Sequence, residues 1–166
     1  KAAATLAATA RAIHAAIAEG DVDAAKVAEL AAFAAECEAD ARVFYDYVLA
    51  HYGDPIGSYS TNNGGIDNSM LIADVELYLL TGDPDYKAAA EAKIAGLTFD
   101  NLSSTNYWDM RPMALAEFYP AAGPAMQAQI QGLLKQQLDY RFRPCNFVEI
   151  MPRLDEHLRR GGPAKA

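Results

Sequence analysis

Apolar side chains recur along this chain at spacings of three and four, the period of an α-helix. Leu6, Ala10, Ile13 and Ile17 form one such stripe over residues 2 to about 19, and Gly20 ends it. A second, longer helix starts near Asp21 or Asp23, either of which can cap it, and carries the stripe Leu30, Ala34, Cys37, Ala41, Phe44 and Val48. The tract HYGDP stops it, with Gly53 and Pro55 as breakers. Asp67 or Ser69 can cap a third helix that runs through Met70, Leu71, Val75, Leu77 and Tyr78 to Leu80. Its apolar arc is wide, which predicts burial. In TGDPDY, Gly82 suits the left-handed C-terminal position, Asp83 caps, and Pro84 occupies the first turn of a helix to about Ile94. Pro112 opens a short helix ending near Tyr119, AGP repeats the stop and start, and a further helix runs from Pro124 to about Asp139. The tail RFRPCNFVEIMPRLDEHLRRGG has only a short helix-compatible piece, around Leu154 to Arg159. No convincing period-two alternation appears, so the predicted class is all-α.

Tight turns alternate with longer connections along the chain. That alternation suits helical hairpins stacked side by side with the long loops gathered on one face, as in α/α toroids and helical solenoids. A bundle with irregular loops fits the pattern equally well. The two long polar segments are IGSYSTNNGGIDN and FDNLSSTNYWDM. In the first, Tyr59, Asp67 and Asn68 can hydrogen-bond vicinal hydroxyls, although Asn-Gly and Gly-Gly are also turn formers. In the second, Tyr107, Trp108 and Asp109 set the only indole of the chain beside a carboxylate. An indole stacks on the apolar face of a sugar while the acid takes its hydroxyls, but a lone tryptophan also serves as a core anchor. Two such loops on one face favour a carbohydrate ligand.

Composition narrows the partners. With 166 residues, 52% of them apolar, the chain reads as a single unit over residues 1–166 with enough apolar surface for a core. A net charge of -8, from 14 basic and 22 acidic side chains, argues against nucleic acid or an anionic membrane as partner. No apolar run approaches the roughly 18 residues of a membrane span. The start, KAAATLAATARAIH, lacks the hydrophobic segment and cleavage pattern of a signal peptide. Lys1 in first place suggests a processed chain, a trimmed one or an excerpt. Cys37 and Cys145 fit two buried free thiols, a single disulfide in an oxidising compartment being the alternative. His14, His51 and His157 are preceded at i-3 by Arg11, Val48 and Leu154, so the Glu-x-x-His pairs of a di-iron bundle are missing. No phosphate-binding loop, nucleophile elbow or His-Glu-x-x-His is present. No metal or cofactor site is predicted.

The segments ADARVFYDYVLAHYGDPIGSYS and DNSMLIADVELYLLTGDPDY together resemble the middle of the catalytic domain of glycoside hydrolase family 9, the inverting endoglucanases. Ser58, Tyr59 and Ser60 match its Ser-Tyr-Ser segment, Asp67 the acid of its Asp-Glu-Leu helix start, and Leu77 and Tyr78 its Leu-Tyr pair. Thr81, Gly82, Asp83 and Tyr86 match its Thr-Gly-Asp-x-x-Tyr turn. In NYWDMR, Trp108 and Asp109 match a Ser-Trp-Asp-x-Lys segment, with Arg111 in the lysine's place. Asn68 departs from the family's glutamate, and TNNGG lengthens the loop.

The resemblance implies an (α/α)6-toroid, of which this chain holds about half the helices, completed by the rest of a larger protein or by another chain. Half a toroid leaves apolar helix faces bare. It also implies a cellulose-like β-glucan, polysaccharide or oligosaccharide, as substrate and an extracellular location. Trp108 and Tyr107 would stack on sugar, while Asp67, Asn68 and Asp109 contact hydroxyls or brace loops. The family's base comes from an Asp-Ala-Gly-Asp motif before this region and its acid is a glutamate after it. Neither motif is in this chain, and Asp54 and Asp83 read as caps, so no catalytic residue is expected here. A non-catalytic helical module that binds glycan or protein through the same loops is the alternative reading, and a structural scaffold a third.

Overall fold

Gly20 closes the first helix in the left-handed conformation, φ 78° and ψ 16°, where a side chain would be strained. Its N–H reaches Ile17 O at 3.2 Å and the Asp21 N–H reaches Ala16 O at 3.0 Å, which satisfies two carbonyls of the last turn. The computed structural model describes residues 1–52, 65–103 and 110–142. Among them every regular element is helical: α1 (Ala2–Glu19), α2 (Val27–Ala50), α3 (Gly65–Thr81), α4 (Pro84–Ala95), α5 (Phe99–Ser103), α6 (Arg111–Phe118) and α7 (Pro124–Phe142), with a 3-10 turn at Tyr119–Ala121. The chain is all-α. Ser58, Tyr59, Ser60, Tyr107, Trp108, Asp109, Cys145 and the tail lie outside the described residues.

The turn at Gly82 is built as its residue types demand. Gly82 takes φ 70°, Asp83 is extended at φ -66° and ψ 121°, and its carboxylate accepts from the Asp85 N–H at 3.0 Å while Pro84 opens α4. The start of α2 departs from expectation. The Asp23 carboxylate accepts from the Ala25 N–H at 2.9 Å and its carbonyl from the Lys26 N–H at 2.8 Å. Asp23 thus organises a separate turn, and the helix begins only at Val27. Helix α3 starts before its expected caps, so Asp67 falls in its first turn. Helix α5 was not foreseen, because five residues are too few to display a period.

Three hairpins, α1 with α2, α3 with α4, and α6 with α7, are laid side by side. Helices α1, α3 and α6 form one row with α3 in the middle, and α2, α4 and α7 back them. Short turns join the helices of each hairpin. The exit of α2 and the entries of α3 and α6 therefore share the opposite end.

Helix α3 is the shared wall. Met70, Ala73 and Leu77 face Ala3, Ala4 and Ala7 of α1 and Ala41 and Tyr45 of α2. Leu71 and Val75 belong to a larger cluster with Ala90, Ile94, Leu102, Leu115, Phe118, Ile130 and Leu133. Burial of α3 on two sides accounts for its wide apolar arc. Helix α1 makes its closest approach through alanines, while Leu6 and Ile13 of the expected stripe pack at the margins. On α2 the inward position belongs to Tyr45, 6% exposed, rather than to Phe44, 47% exposed. Tyr45 can turn inward because its hydroxyl has a partner there, as described next. Cys37 is a buried free thiol beside Ala10 and Ala34.

Candidate functional site

At the end where the hairpins connect, the structure places two of the sequence-predicted residues. Asp67 is exposed in the first turn of α3, and the hydroxyl of Tyr52, just past α2, donates to its Oδ1. That bond and the carboxylate charge hold the Tyr52 phenol above its usual range. Asn68 is half-buried, and its Oδ1 accepts from Arg111 Nη1 at 2.7 Å. Arg111 is the first residue of α6 and only 2% exposed. The pair thus ties the start of α3 to the start of α6. Three chain ends meet here: the exit of α2 and the entries of α3 and α6. Of the six expected sugar-contact residues, Asp67 and Asn68 are brought together; Tyr59, Tyr107, Trp108 and Asp109 are outside the described residues.

Asn68 spends its side-chain carbonyl on Arg111, a bond that ties α3 to α6. Asp67 keeps an exposed carboxylate. Around them Tyr52 is 56% exposed, Met110 44% and Met113 49%, an amphipathic rim able to cover apolar ligand surface.

Two ionic clusters, one buried and one part-buried, were missed by the reading of the sequence. In the first, Asp74 is fully buried on α3; it accepts from the Tyr45 hydroxyl at 2.6 Å and from Lys93 Nζ at 2.7 Å. Burial pushes the Asp74 carboxyl up, opposed by the hydrogen bonds of Lys93 and Tyr45 and the charge of Lys93. Burial and the Asp74 carboxylate likewise raise the Tyr45 phenol, which stays a neutral donor. Tyr86 stands edge-on to Tyr45, ring centroids 5.1 Å apart.

In the second cluster Arg11 on α1 bridges Glu76 on α3 and Glu117 on α6. Its Nε and Nη2 reach Glu76 Oε2 at 3.2 and 3.0 Å, and Nη2 also donates to Glu117 Oε2. Burial raises the Glu76 carboxyl, with Arg11 lowering it and Glu117 raising it. Burial works against the Arg11 charge, but the two glutamates outweigh it. A pair of carboxylates invites comparison with glycosidase chemistry. An inverting pair stands roughly 6.5 to 9.5 Å apart to admit water. Glu76 and Glu117 instead accept from one nitrogen of Arg11, and the Glu76 side chain is 6% exposed, so the pair is bridged by a guanidinium rather than held open. The cluster is a clamp across the row α1, α3, α6.

No group of three or more His, Cys, Asp or Glu among the described residues is arranged to hold a metal ion. A shallow hollow of about 360 Å³ lies between α4 and the start of α7, lined by Glu91, Gly123, Pro124, Met126 and Gln129. None of the sequence-predicted site residues lines it, and the Gln129 amide is already bound to Ile94 O at 2.9 Å. It is therefore no part of the candidate site. Among the described residues no helix is long and apolar enough to cross a membrane.

The fold and site define an all-α protein of stacked helical hairpins with a braced polar end. Compared with known families and with curated proteins, the sequence matches none.

Proposed function

We propose that this chain forms one side of an α/α-toroid glycoside hydrolase acting on a β-glucan, with the connection end of its hairpins as a wall of the sugar cleft. The observation that carries the reading is the Arg111–Asn68 bond at 2.7 Å, which sets the entries of α3 and α6 side by side. The entries of α3 and α6, which follow Tyr59 and Tyr107-Trp108-Asp109 in sequence, therefore share one end of the molecule. The row α1, α3, α6 backed by α2, α4, α7 is the arrangement a toroid repeats, which supports the same reading. In it, Trp108 and Tyr107 stack on sugar faces, Asp67 takes hydroxyls, Asn68 braces, and the hydrolytic carboxylates come from outside this chain.

A non-catalytic glycan-binding module is the second reading. It draws on the same braced end, with Asp67 exposed beside the Asn68–Arg111 bond, and needs no hydrolytic carboxylates from elsewhere.

Titrating cello-oligosaccharides while following Trp108 fluorescence tests binding. We expect a saturable change, and calorimetric titration of Trp108→Ala should show an affinity lower by about 1 to 2 kcal/mol, the scale of one lost aromatic contact. No change at millimolar sugar would overturn both readings. Hydrolysis of the bound oligosaccharide once a completing polypeptide is added separates the enzyme from the module.

A further inference from the structure

Helix α2 is apolar over a wider arc than its neighbours cover. Ala34, Cys37, Ala41 and Tyr45 are buried against α1 and α3, yet Phe33, Val43, Phe44 and Tyr47, on the adjoining flank, remain 47 to 64% exposed. With Glu36 and Asp40 these residues follow the three-and-four spacing of a helix-packing seam, Phe33, Glu36, Asp40, Val43 and Tyr47, with Phe44 at its edge. The seam spans 15 residues, about 21 Å along the helix from Phe33 to Tyr47. Tyr47 is steadied against His51, ring centroids 4.3 Å apart.

The charges on this flank restrict what can cover it. Glu36 and Asp40 are exposed and stand at the middle of the seam, between Phe33 and the Val43 to Tyr47 group. Both basic residues nearby are engaged elsewhere: Lys26 with Glu29 at 2.7 Å and Arg42 with Glu38 at 2.9 Å. An apolar partner would strip water from two unpaired carboxylates, at a cost no apolar contact repays. A second copy of the chain, packed antiparallel, would bring its own Glu36 and Asp40 against them. Only a partner with cations at its centre satisfies both the apolar ends and the acidic middle.

We propose that this flank of α2 docks an amphipathic helix of another polypeptide, apolar at both ends of the contact and bearing arginine or lysine at its centre. The seam supplies the apolar burial, and Glu36 and Asp40 fix register and orientation. The inference does not depend on the glycan reading, which rests on the Asn68–Arg111 bond at the entries of α3 and α6.

The test uses the full chain and a fluorescein-labelled helical peptide with leucines at heptad spacing and two central arginines. Fluorescence anisotropy is expected to show saturable binding, at least tenfold weaker when glutamates replace the arginines. The double variant Glu36→Lys with Asp40→Lys is expected to reverse that preference. Phe44→Ser and Tyr47→Ser should lose binding while their melting temperatures stay at the native value, because both side chains already face solvent. Equal binding of the two peptides, or no reversal by the charge-swapped chain, overturns the proposal. So does self-association that Phe44→Ser abolishes, which assigns the flank to a second copy, or displacement of the peptide by a cello-oligosaccharide, which assigns it to a glycan.

Discussion

Tyr45 and Asp74 meet inside the contact between α2 and α3, the tyrosine hydroxyl donating to Oδ1 of the fully buried carboxylate at 2.6 Å. The bond explains which aromatic residue of α2 points inward. Tyr45→Phe keeps the ring and its edge-on contact with Tyr86 but leaves one carboxylate oxygen unsatisfied. The expected cost is about 1 to 3 kcal/mol of unfolding free energy. Urea denaturation monitored by circular dichroism measures it; an unchanged midpoint would show that water replaces the hydroxyl.

The same carboxylate makes stability depend on pH. Burial raises the Asp74 carboxyl above its ordinary value, even against Lys93 and Tyr45. The folded state therefore holds the proton more tightly than the unfolded state. The stability this contributes is fully present below the unfolded value of about 3.9 and is lost as pH rises through the folded one. Glu76 titrates in the same direction. Unfolding free energies at several pH values should show native protein losing ground to Asp74→Asn as pH rises from about 4 toward neutrality. A difference that stays flat, or grows with pH, would mean that Lys93 outweighs burial.

Arg11 tests the three-helix clamp. Arg11→Met leaves Glu76 buried beside Glu117 without its cation. Breaking a buried pair costs about 3 to 5 kcal/mol. Arg11 is 37% exposed, so solvent softens the loss, and about 1 to 3 kcal/mol is expected. Adding Glu76→Met removes the stranded charge and should recover most of it, a coupling that a double-mutant cycle in urea reads directly. Additive losses would mean that the two side chains act independently.

Local chemistry was legible in the sequence wherever a turn requires a particular residue. Gly20, Gly82, Asp83 and Pro84 stand where their conformational preferences place them, and the helical period of α1 is plain. What escaped was decided across the fold. A stripe of threes and fours cannot choose between Phe44 and Tyr45, since the choice rests on Asp74, 29 residues away. Nor can it foresee that Arg11 would find Glu117, 106 residues on. Asp67 and Asn68 were recognised as a pair of interest, but their partners Tyr52 and Arg111 were not. Arg111 was noticed only as a basic residue in an expected lysine position.

Gln137 offers a simple stabilising change. The side chain is 5% exposed on α7, and its Nε2 has no hydrogen-bond partner among the described residues. An unmet buried donor costs about 1 to 3 kcal/mol. Gln137→Met preserves the length of the side chain and removes the donor, so a gain of about 1 kcal/mol is expected, seen as a higher urea midpoint at unchanged slope. A lower midpoint would reveal a partner for the amide.

Asn68 decides whether the polar end is braced or merely polar. Its carbonyl oxygen meets a guanidinium that is 2% exposed, and a hydrogen bond to a buried charged group is worth about 1.5 to 3 kcal/mol. Asn68→Leu should lose that much stability. Asn68→Asp keeps an acceptor for Arg111 and should be no less stable than the native chain. Asp67→Ala, at an exposed position, should cost under about 1 kcal/mol. Oligosaccharide titrations of the same variants separate the roles. Binding that follows the stability order, lost in Asn68→Leu and kept in Asn68→Asp, marks Asn68 as a brace acting through Arg111. Binding lost equally in both would make the amide itself a sugar contact, and the Arg111 bond would then have to open when the ligand arrives.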